Sequence, residues 1–414
     1  MNERTAASFA DLALDTCLSF RAGDRLRVQA EFAHRPLVHA IAAKAWERGA
    51  RDVRVEWSDP GLSRIYFDKA GDGSFDSAPT WVAADGAMYA DEGWCVLVLK
   101  GDEDPAALDG VNADRLQRHQ RSRALALDRY RDAIMSYKIP WTILPVATEA
   151  WGRAVFAAAG RDPGPDAEEA LWEVLAPILY LDRPDPRAAL LARAAELRER
   201  SGILERARLS ELRFSGPGTD LSIGLSPRSR WAGADASAPD GRRFMPNHPT
   251  EEVFTSPDCR LADGRVACTR PVKVLGETVL GGWFEFREGK VMASGAKKGA
   301  DTLARYLDLD PGSRRLGEVA LVDALGPIWK SGFVFDNILL DENAACHIAL
   351  GSAYVDAFEG SGDMSPAERA AEGYNESLVH TDFMIGSPEV DVEGRRADGS
   401  RVSILKEGVF VLKD

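Results

Sequence analysis

RLRVQAE (25–31), PLVHAIAAKAWERGA (36–50) and VRVEW (53–57) decide how the first part of this chain folds. The first alternates apolar and polar residues as a half-buried strand does, and the third reads as another strand. Between them Pro36 opens a helix, Leu37, Ile41 and Ala45 recur at helical spacing, and Gly49 closes it. Strand, helix and strand within about 30 residues make a βαβ unit, so the strands pair in parallel through a right-handed crossover. WCVLVLKG (94–101) and WTILPVA (141–147) read as further strands, with one long Arg- and Leu-rich helix predicted over 113–136.

Beyond this sheet the signals turn helical from about 148 to 206, and then β-rich. SELRFSG (210–216) and TDLSIGL (219–225) read as paired strands, and VKVLGETVLGGWFEFREGKVMASG (272–295) as a meander turning at glycines. GADTLARYLDLD (299–310) predicts a helix, EVALV (318–322) a buried strand, ENAACHIAL (342–350) another helix, and 391–412 hairpins. The fold class is therefore α/β. An N-terminal α/β domain with a parallel sheet and helices, residues 1–200, precedes a mixed α+β, β-rich domain, residues 201–414.

Composition narrows the function. A net charge of −14, from 65 acidic against 51 basic residues, repels phosphate backbones and anionic lipid, so neither nucleic acid nor membrane is an expected partner. Five scattered cysteines without a C-x-x-C pair suit reduced thiols, and the charged start MNERTAASFADLALDTCL lacks an apolar targeting core, so a cytoplasmic location is expected. Asn375-Glu376-Ser377 fits the glycosylation pattern, which is common by chance. GPGTDL (216–221) and GAKKGA (295–300) lack the strand, turn and helix order of a phosphate loop, and no G-x-S-x-G elbow supports a serine triad.

Imidazole and carboxylate groups in the second domain remain. In VHTDF (379–383) His380 and Asp382 are two apart, which on a strand places both on one face, with Val379, Thr381 and Phe383 pointing the other way. Glu318 is embedded in the apolar LGEVALV (316–322), where an unpaired carboxylate is expensive, so a positive partner such as Arg315 or a metal is required. Glu251 and Glu252 follow NHPT and face opposite ways on an extended chain, so one of them enters a site. His347 lies among Ala344, Ala345, Cys346, Ile348 and Ala349, small enough to let an imidazole approach other groups. Each has a plainer reading as a bonded core or surface residue, and that reading is the stronger one for His34, His39 and His119, while His248, which borders the glutamate pair, is at most a supporting group behind it. Glu342, five residues from His347 and so off its helical face, is set aside as structural.

NHPTEEVFTSP (247–257), RRLGEVALV (314–322), DENAACHIALG (341–351) followed by Tyr354, and SLVHTDFMIGSPEVDV (377–392) resemble, in order and spacing, the signatures of the M29 family of metallo-aminopeptidases. GTDLSIGL, RWAG and DGRRFMPN are similar to that family's second domain, and RAGDRLRVQAE with GARDVRVEW to its first. The resemblance implies removal of the N-terminal residue from peptides with a free N-terminus, by a homodimer. It implies two divalent ions (zinc, cobalt, manganese or magnesium) on Glu252, Glu318, His347, His380 and Asp382, with Tyr354 facing them. Three carboxylates against two dications leave net positive charge to polarise a carbonyl and acidify a bridging water. On this reading Glu318 bridges the ions, Glu252 or its neighbour Glu251 handles the proton, and Tyr354 donates to the oxyanion. A dinuclear phosphoesterase and a non-catalytic binding protein on the same scaffold are the competing readings.

Overall fold

The computed structural model describes residues 3–413. The chain divides into two compact units, one formed by the segment up to Leu191 with Asp235–Pro249, the other by Ala192–Ala234 with the segment from Thr250 onward. In the first unit β1 (Arg25–Glu31), β2 (Asp52–Ser58), β3 (Cys95–Lys100) and β4 (Trp141–Pro145) form one sheet in the order β2-β1-β3-β4. All three pairings are parallel, as the βαβ reading requires. The crossover helix, Arg35–Glu47, buries Leu37, Val38, Ile41 and Ala45.

The predicted 113–136 helix is two, Ala113–Ala126 and Asp128–Met135. Leu127 leaves helical geometry at the break, and its side chain fills the space over Gly86, where an added Cβ would lie 2.7 Å from it. Two further helices, Pro60–Lys69 and Thr80–Glu92, lie in a region the sequence left unassigned. Among the described residues, no helix is long and apolar enough to cross a membrane.

In the second unit the predicted hairpins join an eight-stranded antiparallel sheet. Its central pair, Leu209–Gly216 with Thr219–Gly224, turns through Pro217 and Gly218 as expected, and Asp391–Arg396 pairs on the other side of Leu209–Gly216. A separate four-stranded antiparallel sheet is built from β5 (Glu252–Thr255), β6 (Leu316–Val322), β7 (His347–Gly351) and β8 (His380–Met384), in the order β8-β7-β6-β5.

β7 corrects the sequence reading, which made ENAACHIAL a helix. Only a short 3-10 turn, Glu342–Ala344, precedes an extended strand beginning at His347. Alanine favours helix in isolation, but here β6 and β8 flank the segment and its backbone groups complete both ladders.

The register sorts the four strands into two chemically different faces. Val253, Val319, Leu321, Ile348, Leu350 and Phe383 point one way, and each is at most 2% exposed. Phe383 meets the rings of Phe284 and Tyr306, 4.9 and 6.2 Å away between centroids. Each such buried side chain contributes roughly 1.5–3 kcal/mol.

A bulge between Leu316 and Glu318 interrupts β6. Without it both would point the same way; with it Leu316 pairs with Leu350 on the apolar side, and Glu318 pairs with Ala349 on the other. Gly317 makes the bulge possible, because a Cβ there would sit 2.3 Å from the Ser352 carbonyl oxygen and 2.4 Å from that of Gly351. Both contacts are backbone and cannot rotate away. Gly317→Ala is therefore expected to lower the unfolding free energy by at least about 2 kcal/mol. Denaturant titration of the two proteins measures this, and an unchanged midpoint would contradict the close-approach argument.

Candidate metal centre

The second face of the four-stranded sheet carries the polar residues. Across it run His380 and Asp382 of β8, His347 of β7, Glu318 of β6 and Glu252 of β5. Several of their lateral partners on this face are small: Ala349 lies between Asp382 and Glu318, Gly351 beside His380, and Ala320 on one side of His347 with Met384 on the other. Small neighbours leave room for the long side chains to converge. Ligand atoms of Glu252, Glu318 and His347 lie within 4.8 Å of one another, as do those of Glu318, His380 and Asp382.

Glu318 belongs to both groups. Its Oε1 is 3.8 Å from His347 Nε2, and its Oε2 is 3.2 Å from His380 Nε2. Glu252 Oε2 closes the first group, 3.1 Å from His347 Nε2, and Asp382 Oδ1 the second, 3.4 Å from His380 Nε2. Glu318 does not meet Arg315, whose guanidinium instead donates to the carbonyls of Cys259 and Glu288.

Both imidazoles are oriented by main-chain carbonyls. His380 Nδ1 donates to Ser352 O at 2.7 Å, and His347 Nδ1 lies 3.3 Å from Ala345 O. With hydrogen on Nδ1, each neutral ring turns its Nε2 lone pair into the cluster, the arrangement a metal ligand needs. Glu252 Oε2, His380 Nε2 and Asp382 Oδ1 are buried without a hydrogen-bond partner. Buried polar atoms are normally satisfied, so three orphans converging from three residues fit a divalent cation.

The electrostatics agree. Burial alone would hold His347 neutral, but Glu252, Asp382 and Glu318 raise its pKa to about 10. His380 is likewise lifted, by Asp382 and Glu318 against burial. Burial, with Glu252 and Asp382 adding to it, pushes the Glu318 carboxyl up to about 7. Carboxylates this close require positive charge among them, from protons on the imidazoles or from a metal ion.

The glutamate pair divides as an extended chain demands. Glu252 enters the cluster, while Glu251 turns away and its carboxylate pairs with Arg193 at 2.7 Å. That ion pair engages the Glu251 carboxylate outside the cluster. Tyr354 stands over His380, ring centroids 4.8 Å apart, and edge-on to Phe254 at 5.5 Å. Its main chain is pinned by the buried Ser256 hydroxyl, which accepts from Tyr354 N–H at 3.1 Å. Burial, with Glu318, Asp382, Glu342 and Glu252 nearby, drives the phenol pKa well up, so it stays a neutral donor.

Glu342, set aside on the sequence, stands in the electrostatic field of this cluster. Burial and the charges of Asp382, Glu252 and Glu318 raise its pKa well above the usual carboxylate range. Its exclusion assumed a helix that is absent. The overlooked signal was alternation within His347-Ile348-Ala349-Leu350-Gly351, polar or small against apolar, which marks a strand. The other histidines lie elsewhere: His34 bonds Gly101 O, His119 packs on Tyr66 and Phe67, His248 is buried in the first unit, and His39 is exposed. Asn375 of the glycosylation pattern is buried, its amide donating to Gly351 O and Gly312 O.

The family model for thermophilic metalloproteases (M29) matches residues 2–410. The chain is 38% identical to aminopeptidase T of Thermus aquaticus, with 97% of each covered. It is 39% identical to aminopeptidase T of Thermus thermophilus, over 99% of both, and 35% identical to aminopeptidase AmpS of Bacillus subtilis, over 97% of both. The solved structure of wild-type AmpT from Thermus thermophilus superposes with a TM-score of 0.91 at 38% identity, covering 99% of each chain. This chain, with its convergent histidines and carboxylates, belongs to the M29 family of metallo-aminopeptidases, of the aminopeptidase T and aminopeptidase S type.

Proposed function

We propose that this metallo-aminopeptidase hydrolyses the N-terminal residue from peptides at a centre of two divalent ions. Glu252 with His347 would hold one, His380 with Asp382 the other, and Glu318 would bridge them. The observation that carries this reading is the placement of the two Glu318 oxygens, one toward each histidine Nε2. Mixed nitrogen and oxygen donors suit zinc, cobalt or manganese, with magnesium less favoured by the imidazoles. When bound, such ions supply Lewis-acid polarisation of the scissile carbonyl and a bridging water acidic enough to ionise near neutral pH.

The chain's own groups supply the rest. Three carboxylates against two dications leave the centre electropositive, which favours an attacking anion and a developing oxyanion. Tyr354 is a neutral donor beside His380, suited to donate a hydrogen bond to that oxyanion. A proton must pass from the attacking water to the departing amine. Glu342 suits this role, because it stands in the field of the cluster yet in neither ligand triad. Glu252, which the sequence put forward, is occupied against His347 on this reading. Five free cysteines support a reducing cytoplasm, and the family resemblance supports a homodimer.

Chelation should abolish hydrolysis of aminoacyl anilides, and adding back zinc, cobalt or manganese should restore it while nitrophenyl phosphate stays intact. Phosphate-ester turnover without anilide turnover would favour a phosphoesterase instead. Tyr354→Phe should lower kcat by about 100-fold with KM little changed, the loss typical of one oxyanion donor. Unchanged turnover in steady-state assays would remove that role from Tyr354.

A further inference from the structure

We infer that Asn343 is a positioning residue that sets two glutamates of the centre at once, and this rests on the metal-site reading above. Asn343 is 1% exposed and uses both ends of its amide. Its Oδ1 accepts the Glu251 N–H at 2.7 Å. Its Nδ2 donates to Leu339 O at 3.0 Å and to Glu342 Oε1 at 3.4 Å. Only one orientation of the amide satisfies these partners, since the N–H can only donate and the carbonyl oxygen of Leu339 can only accept.

The Glu251 contact acts on the next residue. Arg193 grips Glu251 from the other side, through its carboxylate at 2.7 Å and its carbonyl oxygen at 3.4 Å. With N–H, C=O and side chain all held, the peptide leading into β5 has no freedom to turn, and Glu252 is delivered to His347. Arg193 is itself fixed by Glu196, which also binds Arg200, and Arg200 reaches Asp323 just beyond β6. The clamp therefore ties the start of β5 to the end of the strand that carries Glu318.

The Glu342 contact acts against repulsion. Asp382, Glu252 and Glu318 all push on the Glu342 carboxylate, and an N–H from Asn343 holds it in place among them. One buried amide thus sets the spacing between a proposed ligand and a proposed proton carrier. Partners that orient metal ligands or catalytic groups in this way typically govern affinity or rate by about 10–100-fold.

Two variants separate the two arms. In Asn343→Asp a carboxylate oxygen still accepts the Glu251 N–H, but no N–H remains for Glu342; Asn343→Ala loses both. Apo-protein is titrated calorimetrically with zinc alone, and kcat and KM are measured on an aminoacyl anilide, normalised to the folded fraction by near-ultraviolet circular dichroism. Asn343→Asp should keep zinc affinity within about 3-fold of wild type while kcat falls about 10–100-fold and KM holds. Asn343→Ala should lose about 10-fold or more in zinc affinity as well. Wild-type values of both quantities in the folded fraction of either variant would overturn the inference, as would equal losses of affinity in the two. If Asn343→Ala does not fold, Asn343→Asp decides alone, and an unchanged kcat overturns the role. Failure of the underlying reading looks different: wild-type apo-protein would take up no zinc, and the inference would fall with it.

Discussion

Mutual repulsion among Glu252, Glu318, Asp382 and Glu342 is the constraint on which this structure turns. Carboxylates do not gather in a buried space unless something holds them there and something positive compensates them. The holding force is apolar. Six side chains on the reverse of the same sheet are almost wholly buried, and the pleat carries that anchorage directly to the opposite face. The compensation is positive charge, and the two imidazoles, each oriented by a backbone carbonyl at Nδ1, turn their Nε2 atoms toward where it must sit.

Period-two geometry explains which parts of the site were legible. His380 and Asp382, two apart in an apolar strand, had to share a face, and they do. Phe383 had to point away, and it packs on Phe284 and Tyr306. Glu318 in its apolar run announced a buried partner, though not which one. Strand geometry split the pair Glu251 and Glu252 and only the family resemblance chose Glu252, because the group that engages Glu251, Arg193, lies far away along the chain.

What stayed hidden depended on tertiary context. ENAACHIAL has helical composition, and only the flanking strands make it extended. That single misreading also removed Glu342, since its exclusion was argued on a helical wheel. The bulge at Gly317 leaves no local pattern, yet it alone turns Glu318 from the core to the site. In the first unit the βαβ pattern was clear because apolar spacing and terminators agreed. The break at Leu127 was not, because it answers to Gly86 on another helix.

The central claim is that Glu318 stands between two metal ions. Crystals of the protein loaded with zinc, measured for anomalous scattering at the zinc edge, test it most directly. Two peaks are expected in the second unit, one shared by Glu252 and His347 and one by His380 and Asp382, each in contact with a different oxygen of Glu318. A single peak, or metal bound away from these residues, would contradict it.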